Sequence, residues 1–377
     1  MGIFVRKIIV FLIPVAILFA PPSAVIYLSR EYYSVTDIYK TQNTKPDSIF
    51  YLAYNDSRKD YKEYLLSIKK PKTIVIGGSR VMQFRKEYFM EPNKFLNTSG
   101  AVVNVRDISE FIEKLPQDNW PKFLILGLDQ DMFKSLSYFP SSSINNQGND
   151  FWRFLRVLGV SWKKIYIDYF SGKFSMAELF RQSQNSSDIG LTALIKGDGY
   201  REDGSFKFSS AENNTRRLDN LKLGIEEKIT LIRKDRSSFF YGDKILNSAL
   251  NALDDALRLS KEKEIYVVGF LTPYHSPIYQ EMINTDDIYK KIVFSLSSEV
   301  ATIFSKYGFK FFDFSDIHKF GAKDSEFADV IHGTDKMYVH MAIYIAENDK
   351  LAKQYFNIDQ LLNILNNSEG DFINVEW

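Results

Sequence analysis

Two groups of residues in this sequence carry side chains able to do chemistry together. The first centres on Ser79, which ends the run Thr73-Ile74-Val75-Ile76-Gly77-Gly78. Four β-branched residues suit a strand buried on both faces, and two glycines allow a sharp turn at its carboxyl end. In open α/β sheets ligands bind at that edge, and a helix starting there would aim N–H groups and its positive dipole end at an anion. A serine so placed can be a nucleophile. The second group is Asp329 and His332, in Asp329-Val330-Ile331-His332-Gly333-Thr334 just ahead of the last predicted helix. An Asp three residues before a His can hydrogen-bond Nδ1 of the imidazole and leave Nε2 to take a proton from a serine hydroxyl, which at neutral pH needs such a base. Activity resting on that pair should fall as His332 is protonated below roughly pH 6. Each group alone has an ordinary explanation: Ser79 as a helix N-cap, and Asp329 and Thr334 as caps beside a surface histidine.

Composition narrows the alternatives. With 48 basic and 47 acidic residues the net charge is +1, which gives no electrostatic case for nucleic acid. The absence of cysteine excludes disulfides, thiolate metal sites and a cysteine nucleophile. Histidine chemistry must draw on positions 275, 318, 332 and 340. Of these, His275 follows a predicted strand at 265–271 and is a candidate substrate contact, while His318 and His340 suggest no role.

The elements that must position these groups alternate in the α/β manner. Strands are predicted at 73–76, 94–96, 123–128, 265–271 and 309–312. Helices are predicted at 105–115, from an Asp243 N-cap onward, within 277–307, and at 336–355. That alternation argues for a three-layer α/β/α fold around a mostly parallel sheet, split between 73–131 and 243–355. Between 132 and 242 it is lost: helices are expected near 151–158 and 177–180, a hairpin at 199–208 around Asp203-Gly204, and polar loops elsewhere. We read this stretch as an insertion or cap over the strand ends, and 356–377 as a tail. At the other end, residues 8–28 carry no charge and follow Arg6-Lys7. Their length and flanks predict an uncleaved transmembrane anchor with the amino terminus in the cytoplasm and the rest outside, despite Pro14, Pro21 and Pro22; a cleavable signal peptide, the competing reading, lacks a clean A-x-A site because Pro21 follows Ala20. Residues 31–72 then read as a stalk with a lead-in helix at 61–68.

A strand ending in Gly-Gly-Ser, a glycine soon after the second strand (Gly100), a Gly-x-Asp element after the third (Gly127–Asp129) and Asp-x-x-His before the final helix resemble, in order, the four blocks of the SGNH (GDSL-like) hydrolases. The match leaves the middle insertion uncovered. The resemblance implies a flavodoxin-like sheet, Ser79 as nucleophile, His332 as base and then acid, Asp329 orienting His332, and backbone N–H groups of Ser79 and Gly100 in an oxyanion hole. It implies no cofactor and no metal. Where many members carry an asparagine that donates to the oxyanion, this chain has Asp129, which when ionised only accepts. A protonated Asp129, a donor from Gln130, or no third donor are the ways open. Arg80 and Gln130 are further candidates for substrate contact, Arg80 also for pairing with Asp129 or Asp131, though a solvated arginine is its commoner fate. Anchored outside the membrane, such a domain resembles the accessory proteins of surface-polymer O-acylation. That resemblance implies a membrane-bound O-acyltransferase as partner, an envelope glycan as acceptor, and an acyl-serine intermediate.

Two other readings stand beside it. Asp129-Gln130-Asp131 is similar to the D-x-D start of haloacid-dehalogenase-type phosphatases and to the metal-binding D-x-D of glycosyltransferases, and could hold Mg²⁺. A fainter carboxylate group is Asp198, Glu202 and Asp203, the last already explained by a turn. A non-catalytic envelope scaffold would keep the fold without needing Ser79 and His332 in contact.

Overall fold

The computed structural model describes residues 2–102, 104–115, 121–133, 149–234, 245–285 and 287–373. Asp243 and most of the polar 141–149 stretch lie outside the described residues. The chain divides into two compact units, residues 1–61 with 141–202 and residues 62–140 with 203–377.

The second unit is built on five strands: β1 (Thr73–Ile76), β2 (Phe95–Asn97), β3 (Phe123–Leu128), β6 (Tyr266–Leu271) and β7 (Lys310–Asp313). They lie in the order β2-β1-β3-β6-β7, and each neighbouring pair is parallel. The intervening β4 (Asp198–Tyr200) and β5 (Phe206–Phe208) flank the Asp203-Gly204 turn expected from the sequence.

Burial on both faces shows directly in β1. Val75 belongs to a core shared with Phe123, Ile125, Val268 and Phe270, covered by Val339, Ala342 and Ile345 of the Asp335–Asn348 helix. Its neighbours Ile74 and Ile76 point the other way, into a core with Ile108 and Ile112 from the Val105–Glu113 helix and Leu253 and Leu257 from the Asn247–Glu262 helix. Successive residues of one strand thus feed two helical layers, which is why the run reads as continuously apolar. The fold is α/β, with helices on both faces of a central parallel sheet. Leu246, not Asp243, occupies the position before the Asn247–Glu262 helix.

In the first unit, the helix Gly2–Leu28 runs through Pro14, Pro21 and Pro22. From Phe4 on it is long and apolar enough to cross a membrane, and it is exposed over most of that length. Its last turns are buried: Val25 and Ile26 pack with Val157, Ile165, Leu179 and Leu194. Just beyond, the buried Glu31 carboxylate accepts N–H groups of Ala53, Tyr54 and Leu191, gathering three distant segments. Residues Val35–Thr44 form a helix capped by a reciprocal Ser34–Asp37 box.

Candidate active site

The order of strands reverses between β1 and β3, since the chain leaves β1 for β2 on one side and then crosses to β3 on the other. Their carboxyl ends therefore form the crevice in which open α/β sheets bind ligands. Ser79 follows β1 and Asp129 follows β3.

After β1 the backbone turns at Gly77, whose φ of +151° and close approach to the Gly127 carbonyl leave no room for a side chain. A Gly77→Ala substitution should cost about 2–3 kcal/mol, read from the shift in urea midpoint. Gly78 then holds the N-cap position of a single 3₁₀ turn, Ser79–Val81. Ser79 is thus not the cap, and of the helix or turn expected after the strand the structure has the turn, with little dipole to offer. Asn97 pins this turn by donating to the carbonyls of Val81 and Phe84 at 2.9 Å each. From the Asp335–Asn348 helix, the Tyr338 hydroxyl donates to the Arg80 carbonyl.

The second arm is a closed loop. Phe327 bridges Gly333, the Ala328 N–H donates to the His332 carbonyl at 2.8 Å, and Thr334 N–H donates to the Glu326 carbonyl at 2.8 Å. Asp329 Oδ1 accepts the N–H groups of Ile331 and His332 at 2.7 and 2.8 Å, which fixes the carboxylate within its own turn. Its other oxygen, Oδ2, accepts His332 Nδ1–H at 2.8 Å. Ser79 Oγ–H in turn donates to His332 Nε2 at 2.8 Å, across 253 residues of sequence. The directions follow from the carboxylate, which can only accept and so assigns the proton to Nδ1. Thr334 holds the helix N-cap position, but its side chain makes no capping bond. Burial pushes the Asp329 carboxyl up, and the bond and charge of His332 together with the two N–H groups outweigh it, holding Asp329 below the usual carboxylate range. Ser79 is exposed and His332 half-buried. The Phe208 ring lies 5.6 Å from the imidazole, placing the end of the expected 199–208 hairpin against the site.

Several candidates sit elsewhere than expected. Gly100 gives its N–H to the Gly77 carbonyl at 2.8 Å, tying the ends of β1 and β2 together. It is therefore engaged, not an open oxyanion donor. Gln130 is 1% exposed, and its amide donates to the Thr272 carbonyl and to Ser315 Oγ. That removes it both as a substrate contact and as a replacement donor. His275, also 1% exposed, stacks on Phe327 at 3.7 Å with Nδ1 3.4 Å from Asp324, so it is a packed side chain and not a substrate contact. Arg80 is not solvated. Its guanidinium lies over Tyr274 at 4.7 Å, donates to the Pro273 carbonyl, and approaches Asp129 Oδ1 to 3.6 Å.

Asp129 is the most informative of these. Thr272 donates to its Oδ1 at 2.8 Å, while Oδ2 lies so close to Gly78 that a Cβ there would be 2.4 Å away. Burial pushes the Asp129 carboxyl up; Arg80 opposes, Asp131 adds to the rise, and Thr272 and His332 oppose, leaving it above the usual range. A carboxyl raised in this way tends toward the neutral acid, a donor, which is a poor start for a cation site. Among the described residues no group of three His, Asp or Glu side chains is arranged to hold a metal. Asp203, of the fainter carboxylate group, spends Oδ1 on Ser205 and Oδ2 on the Lys86 N–H.

Sequence reasoning missed Thr272, Asn97, Tyr338 and Phe208, none of which stands in a motif. It also missed a second serine–histidine contact, Ser276 Oγ with His318 Nε2 at 2.9 Å. There the neighbouring Asp316 accepts the backbone N–H of His318 at 3.0 Å, so the arrangement differs from that at Ser79. Compared with known proteins, the chain matches no family model and no curated protein sequence.

Proposed function

We propose that this protein is an SGNH-type serine enzyme, an esterase or O-acyltransferase working through an acyl-serine. The observation that carries the reading is the unbroken relay from Ser79 Oγ to His332 Nε2 and from His332 Nδ1 to Asp329, both links at 2.8 Å. A scaffold has no need to hold these three groups in line. Ser79 Oγ attacks an acyl carbonyl while His332 takes its proton, and the carbonyl oxygen becomes an oxyanion. Collapse expels the leaving alcohol with the proton from His332 and leaves an ester on Ser79. A second hydroxyl, of water or of an acceptor, then reverses the steps and regenerates the serine. Asp329 stays ionised and steadies the imidazolium at each stage.

For the oxyanion, the Ser79 N–H opens the 3₁₀ turn and so has no acceptor within it. Asp129 in its neutral form supplies a second donor from Oδ2. The exposed apolar amino-terminal helix supports an anchored enzyme with its amino terminus in the cytoplasm and the site outside, facing envelope material. A glycan acceptor and a membrane-bound O-acyltransferase as donor partner follow from that topology together with the resemblance to surface-polymer acylation proteins.

The test is covalent labelling of the full chain in detergent with a fluorophosphonate, followed by peptide mass spectrometry. One adduct on the Ser79 peptide is expected, lost in Ser79→Ala and His332→Ala. A folded protein that takes no label, or labels equally without His332, would refute the relay as a nucleophile.

A further inference from the structure

The helix Asp150–Phe170 runs antiparallel to the amino-terminal helix: Arg153 Nε donates to the Tyr32 carbonyl near one end, and Trp162 meets Phe19 at 5.5 Å further along. At its far end the Tyr166 hydroxyl donates to the Leu18 carbonyl at 2.7 Å. That carbonyl has a particular need. In a helix its partner would be the N–H four residues on, and that residue is Pro22, which has none. Water can satisfy such an orphan on a protein surface, but in a bilayer the bond must come from a neighbouring segment.

Burial of the amino-terminal helix starts at Pro22, so Leu18 lies in the exposed part of the Phe4–Leu28 stretch that is long and apolar enough to span. Leu18 lies four residues before Pro22, about 6 Å along the axis from where that burial starts. Around Tyr166 the Asp150–Phe170 helix presents Val160, Ile167 and Phe170 at 65, 66 and 79% exposure. Positions 160, 167 and 170 share one helical face. Tyr166 and Phe170 stack at 6.1 Å. Lys163 lies over the Trp162 ring, and Lys164 and Lys173 both pair with Asp168, a ring of amines and aromatic side chains suited to headgroup level.

We propose that the carboxyl end of the Asp150–Phe170 helix is seated in the lipid bilayer beside the anchor, its Ile167 and Phe170 in the acyl boundary and Tyr166 closing the carbonyl that Pro22 leaves open. The occupant of this apolar face is lipid. The seating depends on the anchor and not on the chemistry at Ser79. It fixes the first unit to the membrane through two helices, so the unit cannot swing on a single tether.

The chain contains no cysteine, which makes site-specific probes direct. Val160→Cys, Ile167→Cys, Phe170→Cys and, as an aqueous control, Arg258→Cys would each carry an NBD fluorophore in the full chain, reconstituted in phosphatidylcholine–phosphatidylglycerol vesicles. Probes at 167 and 170 should be quenched by doxyl-labelled lipid and several-fold less by iodide than the control, with 170 deeper than 160. Iodide quenching at 167 and 170 equal to the control would overturn the proposal. So would shelter from both quenchers, which would mean that protein covers this face. Tyr166→Phe should raise iodide quenching at 170 by about two- to threefold, the size expected for losing one bond between membrane helices. No change would remove Tyr166 as the fastening.

Discussion

Ser79→Ala and His332→Ala should each lower turnover of an activated acyl ester by about 10⁶, on the scale seen when a serine or histidine is removed from such a relay. The double variant should be scarcely worse than either single one. Nucleophile and base act as one unit: without His332 Nε2 at 2.8 Å the Ser79 hydroxyl keeps its proton, and without Ser79 the base has nothing to activate. Asp329→Asn should cost about 10⁴, because an amide can present a donor to Nδ1 and stabilise the wrong tautomer. The comparison is of kcat for wild type, three single variants and the double, with unfolding midpoints to confirm that each remains folded. Costs that add across Ser79 and His332 would mean that the two act independently and would defeat the acyl-serine reading.

The first strand and its serine were legible because their signals are local. A both-face buried strand needs apolar, β-branched residues at every position, and Gly77 is required by a backbone angle. The same holds for Asp329 and His332, whose spacing within one turn lets a carboxylate reach both its own backbone and the ring. What escaped depends on contacts distant in sequence. Gly100 stands where its resemblance suggested, yet whether its N–H is open is decided by the Gly77 carbonyl of a neighbouring strand end. Arg80 follows the serine and reads as surface, but Tyr274 and Pro273, almost two hundred residues on, enclose it. Gln130 and His275 lie at strand ends as expected, and their burial is set by β6 and the loops beyond β7. Phe208 had no signal at all: an aromatic residue in a hairpin becomes part of the site only because the chain returns there.

Asp129→Asn is expected to keep activity within about tenfold of wild type at the optimum and to extend it to higher pH, whereas Asp129→Ala should lose about 10²–10³ at the optimum. The sign follows from which form donates. Neutral Asp129 carries a proton on the oxygen facing Gly78, while Thr272 occupies the other; ionised, it offers only lone pairs and a negative charge beside a developing oxyanion. Burial raises its pKa, so the neutral form persists further up the scale than in an ordinary carboxyl, and activity should fall as pH rises through that value. An asparagine keeps an acceptor for Thr272 and puts an NH₂ where the acid proton sat, with nothing left to ionise. Gly78→Ala offers a geometric check, because its methyl would displace Oδ2, and should lower kcat in wild type and Asp129→Asn alike. If Asp129→Asn instead loses as much as alanine, or its alkaline limb coincides with that of wild type, the carboxylate is needed in its charged form and the neutral-donor account fails.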